Sequence, residues 1–161
     1  GTIYNPFTDL MYSAARGKSV LMNGIPLRRP VDPPLRKARI LLDFSGKLPR
    51  AIKQELILGE LNGKIGRPFR FAGGISQHLV LIAQSTIHGG IFWGVGRQGY
   101  FWDIAAAILI LNYLGIKVTN LEGKPIHPQD EVFDQMLIGP TKLHQELLNW
   151  VREIRYKTSG K

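Results

Sequence analysis

The 161-residue chain contains no cysteine. That absence excludes disulfides, thiolate metal sites and a cysteine nucleophile, and it agrees with a reducing compartment. No apolar run approaches the roughly 18 residues of a membrane span, and the longest, residues 104–111, has the length of a core helix. No secretory leader opens the chain, so a cytoplasmic location without membrane attachment is expected. Acidic residues are scarce: 12 Asp and Glu stand against 21 Lys and Arg, a formal charge of +9. The excess of cations fits a solvated basic surface, an anionic phosphorylated substrate or a nucleic acid. No RNA-binding aromatic motif or zinc-finger spacing accompanies it. Also absent are a P-loop lysine and a Gly-x-Ser-x-Gly elbow.

The length fits one ordinary domain with a real core. Residues 1–34 read as short antiparallel strands: residues 1–4, 10–14 and 19–22, with a turn at Asn5-Pro6 and a hairpin signal at Asn23-Gly24. Such strands need a larger sheet to join, and the chain opens without an initiator Met, so a missing upstream half is expected. The segment from Arg29 to Pro34 carries three prolines and predicts a rigid connector and a subdomain boundary. Beyond it, strand patterns at 38–44, 68–71, 87–93, 116–121 and 131–138 alternate with helix patterns at 49–61, 74–84, 102–114 and 141–156. The expected fold class is α/β: strands of an antiparallel sheet, then an α/β layered subdomain (35–161) with a mixed, largely parallel sheet.

The most informative stretch is Tyr100-Phe101-Trp102-Asp103-Ile104-Ala105-Ala106-Ala107. It sets one carboxylate, Asp103, at the start of a helix that is apolar all round and therefore buried. Two readings stand side by side: a helix cap, or a metal or phosphate site at a positive helix end. Gly94, Gly96 and Gly99 form a literal Gly-x-Gly-x-x-Gly between strand and helix, a third reading in which the loop holds a dinucleotide. Tyr100, Phe101 and Trp102 crowd the place where a pyrophosphate would approach. His78, His88, His127 and His144 show no ligand spacing and read as structural or surface histidines. Asp130, Glu131 and Asp134 read as solvated residues at a strand start.

The segment Trp102-Asp103-x-Ala105-Ala106, followed by an apolar helix, Gly115, a strand and Gly123-Lys124-Pro125, resembles the C-terminal signature of the inositol monophosphatase-like family. Two upstream blocks agree in order: Ile3-Tyr4-Asn5-Pro6 with Ala14-x-x-Gly17-Lys18 and Asn23-Gly24, then Arg70-x-x-Gly73 entering a helix. The resemblance implies the second half of an αβαβα sandwich. It further implies a Mg²⁺-dependent phosphatase of small phosphate monoesters, such as inositol, sugar or nucleotide phosphates, with Asp103 as a metal ligand and Gly73, Gly74 and Ile75 near the substrate. The family's other metal ligands, an upstream Glu and an Asp-x-(Ile/Leu)-Asp-Gly-Thr motif, do not occur here. One carboxylate cannot build a Mg²⁺ site. The expectation is therefore an inactive segment, completed by the N-terminal half of the same protein or a companion chain, with room for self-association. Gly74 stands where Ser or Thr is usual and Ala107 where Gly is usual, which leaves the substrate open. The alternative is a non-catalytic basic module that binds an anion, a nucleic acid or a protein partner.

Overall fold

Asn23 and Gly24 form the tight turn that their sequence predicts. Both adopt positive φ, 48° and 81°, and join β3 (Leu21–Met22) to β4 (Ile25–Pro26). Two consecutive left-handed residues suit the right-handed twist of the strands on either side. The structure, a computed structural model, describes residues 1–44, 47–70, 73–94 and 99–158. With β1 (Thr2–Asn5) and β2 (Leu10–Ser13), the hairpin makes a four-stranded antiparallel sheet in the order β1-β2-β3-β4. Ile3 and Tyr12 oppose each other and are buried, while the next cross-strand pair, Tyr4 and Met11, faces outward and is exposed. The period of two thus separates a core face from an exposed outer face.

The proline-rich connector is stitched to the last helix, α4 (Thr141–Thr158). Asp32 accepts hydrogen bonds from the backbone N–H groups of Lys142 and Leu143, each at 2.9 Å. It thereby satisfies two of the donors that a helix start leaves open. The N–H of Leu35 donates to Glu146 at 2.6 Å.

The second sheet is mixed and five-stranded, in the order β6-β5-β7-β11-β9. Its members are β5 (Arg39–Phe44), β6 (Arg67–Phe69), β7 (Gly89–Trp93), β9 (Ile116–Thr119) and β11 (Gln135–Pro140). β6, β5 and β7 run parallel, and β11 runs antiparallel to both β7 and β9. A separate two-stranded ribbon joins β8 (Gly99–Tyr100) to β10 (Val132–Phe133). The strand expected over 131–138 is therefore two strands, with a break at Asp134. Phe133 pairs with Gly99 in the ribbon, whereas Gln135 pairs with Trp93 in the main sheet. The chain changes sheets between those residues, and one hydrophobic run cannot report that.

Helices α1 (Arg50–Leu61) and α4 cover one face of the mixed sheet. Helices α2 (Ile75–Ala83) and α3 (Phe101–Tyr113) cover the other and also carry the antiparallel sheet on their far side. The layers run β, α, β, α. That sandwich is why α3 is apolar around its whole circumference. Ile104, Ile110 and Leu111 are buried, and each contributes roughly 1.5–3 kcal/mol of burial free energy. Gly115, with φ +78°, ends α3 and turns the chain into β9.

Candidate active site

The parallel strands β5 and β7 lie side by side, yet the helices that follow them go to opposite faces: α1 after β5, α3 after β7. A crevice at the carboxyl ends of such a strand pair is the usual ligand site of open α/β sheets. A pocket of about 300 Å³ sits there, with walls that include Asp43, Phe44, Phe92, Trp93, Gly94 and Asp134. Its helical side is the start of α2, through Gly73 and Ile75, and Gly99 and Phe133 of the small ribbon close the rim. Two features expected from sequence thus meet at the pocket: the start of α2, and the glycine loop through Gly94 and Gly99.

The turn into α2 needs glycine at one position. Gly73 has φ +155°, and a Cβ there would lie 3.1 Å from the Nε2 of His78. His78 is buried one turn into α2, with its ring 6.3 Å from that of Phe92. It forms the floor beneath the turn. At Gly74, the N-cap, a Cβ would meet nothing within 4 Å. The first N–H groups of α2 therefore open on a position without side-chain cover.

Asp103 lies in the first turn of α3 and is exposed. One carboxylate oxygen accepts a hydrogen bond from the N–H of Tyr100 at a long 3.3 Å. That bond caps the helix start, and among the described residues the second oxygen of this exposed carboxylate takes no hydrogen bond. The cap and the ligand readings are therefore compatible in one side chain. The hydroxyl of Ser76, next to Ile75 of the pocket wall, donates to the carbonyl oxygen of Asp103. This bond fixes the two helix starts side by side. Tyr100 and Trp102 stack face to face at 4.4 Å beside the aspartate, with Trp102 two-thirds exposed. Among the described residues, no group of three or more His, Asp or Glu side chains could hold a metal ion. The donors on this chain therefore do not fit a Mg²⁺ ion by themselves, and Asp103 can supply one ligand to a site completed from elsewhere.

The glycine loop has other duties at the positions described. The N–H of Gly94 donates to the carbonyl oxygen of Asp134 at 2.6 Å. Gly99 lies against the ring of Phe133, which a Cβ would meet at 2.5 Å. Gly96 falls outside the described residues. The histidines expected to be structural behave so where the structure describes them. His144 is buried and shares a 2.9 Å hydrogen bond with the hydroxyl of Thr119, which itself donates to the carbonyl oxygen of Asn120. The hydroxyl has only one proton, so the ring must donate through Nε2. Burial first, and then the charge of Lys117, lowers the His144 pKa to about 4. His88 accepts the N–H of Arg39 through Nδ1 at 2.9 Å, and burial with the Arg39 charge lowers its pKa. Asp130 caps the N–H of His127 at 2.6 Å. Asp43, Phe44, Trp93 and Phe133 were not singled out by motif, since the signal that finds them is the topology of the sheet.

Residues 1–156 match the inositol monophosphatase family. The probable inositol 1-monophosphatase ImpA of Mycobacterium tuberculosis is 28% identical over 158 residues, which cover 92% of this chain and 53% of that protein. The Nus factor SuhB of Haemophilus influenzae is 22% identical over 152 residues, 94% of this chain and 54% of that protein. Among solved structures, inositol monophosphatase-II of Staphylococcus aureus aligns with a TM-score of 0.80 at 21% identity, over 99% of this chain and 57% of that one. The chain spans about half the length of the relatives it matches. By the match of nearly its whole length, with the ordered motifs that lead to Asp103, this chain belongs to the inositol monophosphatase family.

Proposed function

We propose that this chain is the C-terminal part of a Mg²⁺-dependent phosphatase that hydrolyses small phosphate monoesters. The observation that carries the reading is that the start of α2 lines the crevice through Gly73 and Ile75, and that Ser76 ties it to the backbone of Asp103 at the start of α3. In that reading Asp103 is a metal ligand, and the metal, when bound, polarises the phosphoryl oxygens and activates the attacking water. The N–H groups that follow Gly73 and Gly74 and the N-terminus of Ile75 hold a substrate oxygen, aided by the positive end of α2. Phe44, Phe92 and Trp93 shield that end of the crevice from water. The remaining metal ligands come from the N-terminal half of the same protein or from a companion chain. The exposed outer face of the antiparallel sheet, with Tyr4 and Met11, supports a companion segment packed on that side.

A relative of known structure has been crystallised with inositol monophosphate and aligns with a TM-score of 0.79, which makes this ester the first substrate to try. The experiment is a phosphate-release assay on the complete product of the gene, with Mg²⁺ and with chelator, beside the isolated 161 residues. The reading expects chelator-sensitive release by the complete product and none by the isolated chain. Full activity of the isolated chain would contradict the dependence on ligands from outside it. Absence of release from any small monoester by the complete product would reject the phosphatase reading.

A further inference from the structure

The end of the mixed sheet opposite the crevice gathers cations. β5 runs from Arg39 to Phe44, so its start lies roughly 16 Å from the crevice. The strand register sets Arg39 beside Arg67, the first residue of β6, and Gly139 of β11 beside Lys117, the second residue of β9. β11 then leads into α4, whose second residue is Lys142. The single turn Leu35–Lys37 brings Arg36 and Lys37 to the same end, because its Leu35 carbonyl oxygen accepts the N–H of Gly66 at 3.1 Å. Arg36, Lys37, Arg67, Lys117 and Lys142 are exposed, and among the described residues none of these five side chains takes a hydrogen bond or an ion pair. Arg39 donates to the carbonyl oxygens of Ser85 and Thr86, each at 2.7 Å, which leaves its charge in place. The acids nearby do not neutralise this row. Asp32 accepts the backbone N–H groups of Lys142 and Leu143, Glu146 accepts that of Leu35, and Glu153 pairs with Lys64. Glu60 stands apart from them near the end of α1.

Five strands at about 4.8 Å spacing spread these cations over roughly 19 Å. A row of that width suits a repeating polyanion better than a single phosphate. The residues beside the cations in sequence, Ala38, Ile116, Pro140 and Leu143, are buried. The strand ends therefore offer a bilayer no apolar anchor and a nucleobase no ring to stack on. We infer that this end of the sheet is a docking surface for the phosphate backbone of a nucleic-acid duplex, with Arg36, Lys37, Arg67, Lys117 and Lys142 as its contacts. Contacts of this kind hold phosphates and read no base sequence. The surface lies at the far end of the strands from the crevice, so both can be occupied at once, and it does not depend on the phosphatase reading.

The test is fluorescence anisotropy of the complete gene product with a labelled DNA duplex of about 20 base pairs and arbitrary sequence, at salt from about 50 to 200 mM. With roughly four phosphate contacts, affinity should fall about a hundredfold over that range, whatever the sequence. The double variant Arg67→Gln, Lys142→Gln should bind more weakly, with a log–log salt slope smaller by about two. Both side chains are exposed and unbonded, so its thermal midpoint should match wild type. The double variant Arg50→Gln, Lys124→Gln makes the same charge change at the crevice end, at the start of α1 and after β9, and should keep the wild-type slope. No binding at the lowest salt, an unchanged slope in the first variant, or equal weakening in the two variants overturns the inference. So does tighter binding to phosphatidylserine vesicles or to polyglutamate than to the duplex, which would assign the face to a membrane or an acidic protein. The ester assay is separate: failure to release phosphate rejects the phosphatase reading and leaves this surface standing.

Discussion

His144 illustrates how a buried polar side chain ties stability to pH without serving the site. Its ring donates to Thr119 and is held neutral, with a native pKa of about 4 against an ordinary value of 6.5. A group whose native pKa lies below its unfolded value costs nothing above pH 6.5. As pH falls toward 4 the unfolded chain takes up the proton first, and stability drains away. The loss approaches about 3 kcal/mol at the lower end of that window. Urea unfolding at pH 7.5 and pH 4.5 should show the loss in wild type and a smaller one in His144→Gln. An equal loss in both proteins would remove His144 as its source. Gly73 is the residue whose identity matters most to the α2 turn. Gly73→Ala combines a positive φ with a close approach to His78, and should cost about 1–3 kcal/mol. Thermal unfolding checks it, and an unchanged midpoint would show that the turn relaxes. Asp103 and Gly73 were both legible in the sequence, because one broke an apolar helix and the other matched a motif. Asp43 was not, since an acid at a strand end looks like any solvated residue until the strand order is known.

At the level of elements, the amphipathic and all-apolar helices could be read from periodicity, and the buried face of α4 (Leu143, Leu147, Trp150, Val151, Ile154) is the face observed. Strand ends were less legible. The break at Asp134 and the two-residue strand β8 depend on which partner each residue meets, and local pattern does not encode partners. The contact of the connector with α4 was equally hidden, because Asp32 and Lys142 are far apart in sequence. That contact makes a prediction of its own. Asp32→Ala removes the acceptor for two backbone N–H groups at the start of α4, and should destabilise the protein by about 1–2 kcal/mol. Chemical denaturation measures it; a change below a few tenths would mean that water caps the helix as well as Asp32 does. Gly74→Ser probes the neighbouring helix in the opposite sense. Its hydroxyl has open space and can cap α2, for a gain of a few tenths of a kcal/mol at most.

For the molecule as a whole, the charge balance and the layer order lead to one picture. An antiparallel sheet with an open outer face, a helix pair in the middle and a mixed sheet beyond form the second half of a larger sandwich, with a crevice at the strand switch point. The fold class followed from the alternation of strand and helix patterns. The completing ligands cannot be read from residues that do not contain them. The role proposed for Asp103 is that of one ligand in a divalent-metal site shared with residues outside this chain. The direct test is a Mn²⁺ titration of the complete gene product, followed by electron paramagnetic resonance, in wild type and Asp103→Asn. Asparagine keeps an oxygen to cap Tyr100 and removes the charge. At least one Mn²⁺ site should weaken by about tenfold or more in the variant while the protein stays folded. Identical Mn²⁺ binding in the two proteins would contradict it and leave Asp103 as a helix cap alone.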